Sequence, residues 1–166
     1  AINQPDGGVE VVAGFDEHGN TVNPTDPRAR EYITTQQTTA AIRWIKQQSP
    51  GTPWMATVSY SAAHLPVQPP PRALLPLDSV DSSQFDCATN LIEQRIIYGQ
   101  MIEAMDHEIG RVIQALDRTG QRANTLVVFS SDNGGQESWG APPAEYNGRY
   151  APHRTLGSNT PLRGWK

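Results

Sequence analysis

Several side chains in this sequence carry groups suited to an oxyanion or a hard cation, among them His64, Asp132, Asn133 and Lys166. Asp132 and Asn133 offer a carboxylate and an amide oxygen, which are ligands for Ca²⁺ or Mg²⁺. Two adjacent ligands do not fill a site that wants about six or more oxygens, so further ligands must come from elsewhere. The same Asp-Asn-Gly run is also a good turn after a strand, and both readings stay open. His64 can act as a general acid or base, or donate to an anion; a surface or packing role is the alternative. Lys166, Arg163 and Arg154 can each meet an oxyanion or stand in solvent. His107 lies between Asp106 and Glu108 on the wet side of a helix, while His18 and His153 sit in turn and loop sequence. Cys87 is the sole cysteine, which excludes an internal disulfide and a cysteine-rich metal site and leaves a free, packed or semi-exposed thiol. A Gly-rich phosphate loop, a His-Glu-x-x-His motif and a Gly-x-Ser-x-Gly elbow are all absent.

The elements that must position these groups read as alternating helix and strand. Residues 31–48 carry Ile33, Gln37, Ala41, Trp44, Ile45 and Gln48 at helical spacing, closed by Pro50-Gly51. Residues 54–60 are short, apolar and rich in aromatic and β-branched types, as a largely buried strand requires. A proline-rich loop holding His64 follows. The spacing predicts a long helix over 90–119, with Ile97, Met101, Met105, Ile109, Val112, Ile113 and Leu116 in one stripe and Gly120 as its stop. Residues 125–131 form the clearest buried strand and run directly into Asp132 and Asn133. Residues 1–30 form an irregular lead-in with one short strand candidate at 9–13, and 136–166 hold no periodic element. This order implies an α/β architecture with a mostly parallel sheet flanked by helices. In such sheets ligands gather beyond the carboxyl ends of the strands, which is where His64 and Asp132-Asn133 fall. So few strands make a poor sheet, and the fold is expected to be incomplete at both ends.

Composition narrows the classes. The chain has 166 residues, enough for one domain with its own core, and its 14 Gly and 14 Pro indicate many turns and loops. With 13 Lys plus Arg against 17 Asp plus Glu, the net charge of −4 argues against nucleic acid and gives no support for an anionic membrane. No apolar run approaches the ~20 residues of a membrane span. The chain starts at Ala1, so a leader could already have been removed.

Taken in order, several segments resemble the sulfatases of the alkaline-phosphatase-like superfamily. They are Ala40-Ala41-Ile42-Arg43-Trp44-Ile45, Pro53-Trp54, Ser61-Ala62-Ala63-His64-Leu65-Pro66 and Tyr98-Gly99-Gln100-Met101-Ile102-Glu103-Ala104-Met105-Asp106. Ile109-Gly110-Arg111-Val112, Asn124-Thr125-Leu126-Val127-Val128-Phe129-Ser130-Ser131-Asp132-Asn133-Gly134-Gly135 and Leu162-Arg163-Gly164-Trp165-Lys166 complete the series. The resemblance covers roughly 31–166, the middle section of the family's catalytic domain, so that 1–166 is read as a partial domain. It implies Asp132 and Asn133 as ligands of Ca²⁺, with Mg²⁺ as the alternative, and His64 as the group at the sulfate ester that helps the alcohol leave. It implies Lys166 as the lysine that binds the sulfate. Sulfuryl transfer develops charge on peripheral and leaving oxygens, so a cation, an ammonium and an imidazole are the groups such a site needs.

The departures from the family pattern bear on activity. The family attacks with a formylglycine made within Cys/Ser-x-Pro-x-Arg, and that motif is absent here; Cys87 lacks the following Pro and Arg. The family's early aspartate pair and its Lys-x-His segment are also absent. The expected parent is therefore a sulfatase acting on aryl or carbohydrate sulfates, with the nucleophile outside this chain and the chain alone inert. A phosphonate or phosphate ester hydrolase is the alternative within the superfamily, disfavoured by Asn133 where those relatives often carry His. A non-catalytic binding domain is the alternative from another class. Trp139, Tyr146, Tyr150 and Trp165 either line a pocket for a ring or sugar or anchor local packing. Expected partners are a sulfated small molecule or glycan and the remainder of the fold. A periplasmic or secreted location is favoured, with the cytoplasm as the alternative.

Overall fold

The computed structural model describes residues 31–49, 51–140 and 156–164, together with the backbone of residues 2–3, 9–10, 14–15, 21–22 and 153–154. Its order is β1 (Ile2–Asn3), β2 (Val9–Glu10), β3 (Gly14–Phe15), β4 (Thr21–Val22), α1 (Ile33–Gln47), α2 (Leu91–Arg118), β5 (Ser138–Trp139) and β6 (His153–Arg154). Two short 3-10 turns, Arg72–Leu74 and Arg122–Asn124, punctuate the loops. Among the described residues, no helix is long and apolar enough to cross a membrane.

Both helices fall where the periodicity places them, and their ends have local causes. Asn90 caps α2 by accepting from the amides of Ile92 and Glu93 at 3.1 and 3.3 Å. Glu93 then sits in the first turn, where the helix dipole favours an anion. The far end is a Schellman closure. The Gln121 amide reaches Leu116 O at 2.9 Å, the Gly120 amide reaches Asp117 O at 3.0 Å, and Gly120 adopts φ +69°.

The buried faces differ from the apolar stripes. On α1 the buried residues are Thr34, Thr38 and Ile45, whereas Ile33 and Trp44 are exposed. Trp44 instead packs edge-on against Trp54, with ring centroids 5.4 Å apart. On α2, Ile97, Met101 and Leu116 are buried as expected, but Gln94, Gln100 and Glu108 are buried with them. Hydrogen bonding accounts for part of this rotation. The Glu108 carboxylate accepts from Thr35 Oγ1 at 3.0 Å and from Arg111 Nη1 at 2.6 Å. The hydroxyls of Thr38 and Tyr60 pair at 2.9 Å beside it. Burial raises the Tyr60 phenol above its ordinary range against the Thr38 hydrogen bond, and the nearby Glu108 charge adds to the rise. A polar seam thus aligns α1 with α2, and hydrophobic periodicity alone does not show it.

The mostly parallel sheet expected from the sequence is not formed among the described residues. The observed ladders are three antiparallel two-residue pairs, β1 with β2, β3 with β4 and β5 with β6. Residues 54–60 and 125–131 have no regular secondary structure and join no ladder among the described residues, and Met55, Leu126, Val128 and Phe129 are exposed rather than buried. The physical reason is that a strand's backbone groups and both its faces need neighbours about 4.8 and 10 Å away, which the described residues do not supply to these segments. Their course is nonetheless informative. Both begin at Gln121, whose Oε1 accepts from Trp54 Nε1 at 2.8 Å and whose carbonyl accepts from Thr125 Oγ1 at 2.7 Å.

Candidate active site

The N-terminal half of α2 is the platform on which the chemistry-bearing loops rest. Val67, Cys87, Ile97 and Met101 form a buried cluster, and Ala62, Ala63, Leu65, Phe85, Tyr98 and Leu156 pack around it. Cys87 is buried within this cluster, consistent with a packing role. The loop after residues 54–60 is therefore fixed from both sides of His64, by Ala62 and Ala63 before it and by Leu65 and Val67 after it. The Gln68 amide adds a bond to Met101 Sδ at 3.3 Å.

His64 itself is exposed above this apolar footing. Its amide closes a turn onto Ser61 O at 2.8 Å, and its Nδ1 pairs with Leu65 O at 2.5 Å. A carbonyl oxygen only accepts, so Nδ1 carries the hydrogen and donates. That leaves Nε2 as the nitrogen available to an incoming oxygen.

The second loop leaves residues 125–131 at Asp132 and Asn133, both exposed. Asn133 Nδ2 donates to Gly134 O at 2.9 Å, so its amide oxygen is the end left to accept or ligate. Ser131 Oγ donates to Asn133 O at 2.5 Å and tightens the turn. The turn and the ligand readings are thus compatible: the backbone turns here while the carboxylate and the amide oxygen stay open. Among the described residues no group of three or more His, Cys, Asp and Glu is assembled around a common point. Asp132 and Asn133 supply oxygen donors of the right hardness for Ca²⁺ but only part of a coordination shell.

Asn159 joins this loop to the segment that follows Leu156. Its Oδ1 accepts from the Gly135 amide at 2.6 Å, while its Nδ2 donates to Gly135 O at 3.2 Å and to Gly164 O at 2.6 Å. A Cβ on Gly157 would stand 3.4 Å from the Tyr98 hydroxyl and 3.7 Å from Gly135 Cα. Leu156 packs on the α2 cluster just before it. The His64 loop and the Asp132–Asn133 loop are therefore carried by one platform, the first directly and the second through residues 156–159.

Of the remaining sequence candidates, Arg163 is exposed and His107 is exposed on α2, the wet face expected of it. His153 and Arg154 pair through the β6 backbone with Trp139 and Ser138. Lys166, Tyr146, Tyr150, Trp165, His18 and the side chains of Trp139, His153 and Arg154 lie outside the described residues. Asn159 escaped the sequence reading. Its Gly157-Ser158-Asn159-Thr160 setting signals a side chain that bonds backbone, but local spacing gives no hint of a partner as distant as Gly135.

Comparison with known proteins bears on these loops together. The sulfatase family model matches residues 4–163. The chain belongs to the sulfatase family. Membership implies the alkaline-phosphatase-like fold. Arylsulfatase J of Mus musculus is 30% identical over 155 residues, which are 93% of this chain and 22% of that sulfatase. Steryl-sulfatase of Mus musculus is 41% identical over 69 residues, 42% of this chain and 10% of its own length. The arylsulfatase of Klebsiella aerogenes is 43% identical over 44 residues, 26% of this chain and 10% of its own length. The chain thus spans a small part of the length of these sulfatases. No solved structure gives a significant match.

Proposed function

We propose that this chain is the part of a sulfate ester hydrolase that grips the sulfate and discharges the alcohol. The observation that carries this reading is the shared footing of the two loops on α2, inside a segment that matches the sulfatase family model. Asp132 and Asn133 would hold a Ca²⁺, or Mg²⁺ in its place, with further ligands from outside the chain. Such a cation, when bound, withdraws charge from the peripheral sulfate oxygens. Lys166 binds the same oxygens through its ammonium group. His64, protonated at Nε2 and oriented by the Nδ1–Leu65 bond, donates a proton to the leaving oxygen. The nucleophile is a formylglycine supplied outside this chain, so these residues on their own bind and orient without turning over. The names of the relatives favour an aryl sulfate as substrate, with carbohydrate sulfates as the second class.

The same reading assigns residues 54–60 and 125–131 to inner parallel strands of the sheet, with neighbours outside the chain. Their shared anchor at Gln121 and their exposed apolar side chains support it.

The test is leaving-group dependence in the full-length enzyme. His64→Ala is expected to lower turnover of an alkyl or sugar sulfate by roughly 10²–10⁴-fold. Turnover of 4-nitrophenyl sulfate should fall much less, because that leaving group needs little protonation. Equal losses on both substrates would remove His64 from the acid role. Hydrolysis of 4-nitrophenyl phosphate in preference to the sulfate would overturn the substrate class.

A further inference from the structure

The carboxamide of Asn159 occupies an unusual position for a loop side chain. It pairs with both the amide and the carbonyl of Gly135, as a neighbouring strand would, and spends its second amide hydrogen on Gly164 O. Gly135 lies three residues after Asp132, and Gly164 lies two residues before Lys166. One side chain therefore ties the turn carrying the two oxygen donors to the segment leading into the lysine.

The glycines on the opposite side are cut to fit it. A Cβ on Gly134 would come within 2.9 Å of Asn159 Oδ1 and 3.2 Å of Nδ2, and one on Gly135 within 3.3 Å of Oδ1. A free carboxamide would swing away from such a methyl at little cost. This one is held by three hydrogen bonds, so yielding means breaking them. The approach is anchored from behind, since Leu156 packs on the α2 cluster and Gly157 lies against Tyr98 and Gly135.

We infer that Asn159 is a positioning residue, which holds the turn of Asp132 and Asn133 in register with Gly164 and so sets the cation affinity of the site. This rests on the reading of Asp132 and Asn133 as cation ligands. Asn159 acts at one remove, through the backbone of Gly135, and does not itself touch the sulfate.

The test uses the full-length enzyme and two readouts, calcium affinity by titration calorimetry and the rise in Tm on adding calcium. Asn159→Ala is expected to weaken calcium binding by about 10–100-fold, the usual size of an effect on a metal held through a neighbouring group. The calcium-induced rise in Tm should shrink accordingly, because that rise follows the ratio of ligand concentration to Kd. A role confined to loop stability would lower Tm equally with and without calcium and leave the affinity unchanged, which would overturn the inference. Should Asn159→Ala not fold, Gly134→Ala decides the matter, since its methyl crowds the carboxamide while leaving it in place. A several-fold loss of calcium affinity supports the role, and wild-type affinity contradicts it. Asp132→Ala separates the two levels. If it abolishes calcium binding while both other variants bind normally, the inference fails and the ligand reading stands. If Asp132→Ala binds calcium normally, the ligand reading fails and takes the inference with it.

Discussion

In the helix pair, Ile45, Ile97 and Leu116 are exposed by 2%, 0% and 3%, whereas in residues 54–60 and 125–131 the side chains of Met55, Leu126, Val128 and Phe129 are exposed by 87%, 89%, 77% and 72%. Both regions are apolar, and they differ in where their backbone hydrogen bonds go. A helix closes its bonds within itself, so α1 and α2 need only each other to bury one face. A strand closes its bonds only with neighbours, so residues 54–60 and 125–131 join no ladder among the described residues and stay largely unburied. The chemistry is mounted on the less complete region: His64 and Asp132 follow these two segments. The helix pair compensates by anchoring what comes after them. Gln121 fixes where both segments start, and the Ile97–Met101 cluster fixes where the loops land.

Four substitutions break or sharpen this contrast, and all are read in the full-length enzyme. The largest effect is expected at Val128. If 125–131 is an inner strand there, Val128→Asp buries an unpaired carboxylate and costs more than about 4 kcal/mol, seen as loss of soluble folded protein. A Tm within a few degrees of wild type would show that the segment stays exposed in the complete fold. Next comes the polar seam, where Glu108 is fully buried and Arg111 provides its charge partner at 2.6 Å. Arg111→Ala leaves that carboxylate uncompensated and should destabilise by about 3 kcal/mol in a denaturant titration, tempered by the partial exposure of Arg111. Third, Gly120 closes α2 at φ +69°, and Gly120→Ala should cost about 1 kcal/mol by the same titration.

The smallest effect is a pH dependence. The phenol of Tyr60 is raised above its ordinary value of 10.0 by burial, so the folded state holds its proton more tightly than the unfolded chain does. The stability it contributes is complete below pH 10 and is lost as pH rises through the folded value. Tyr60→Phe should therefore flatten the alkaline limb of a stability-versus-pH curve. An unchanged limb would mean that the phenol is as free in the fold as outside it.

What was legible in the sequence follows the same division. The helices at 33–47 and 91–118 and the Gly120 stop are local features, and local spacing reveals them. The burial of Gln94, Glu108 and Thr34 was not legible, because it depends on what the facing element offers. The burial of 54–60 and 125–131 was expected from their apolar content and is not met, since composition sets a strand's preference but not its neighbours. At the site, His64, Asp132 and Asn133 were visible as residue types placed after extended segments. Asn159 was not, because its importance lies in a partner 24 residues away.

The most direct measurement is a crystal structure of the full-length enzyme grown with calcium and sulfate. The expected result places an Asp132 carboxylate oxygen and the Asn133 amide oxygen about 2.3–2.6 Å from one cation. It also places His64 Nε2 about 3 Å from a sulfate oxygen on that same cation. A cation bound elsewhere, or a His64 ring remote from the sulfate, would contradict the central claim that the two loops resting on α2 form a single sulfate ester site.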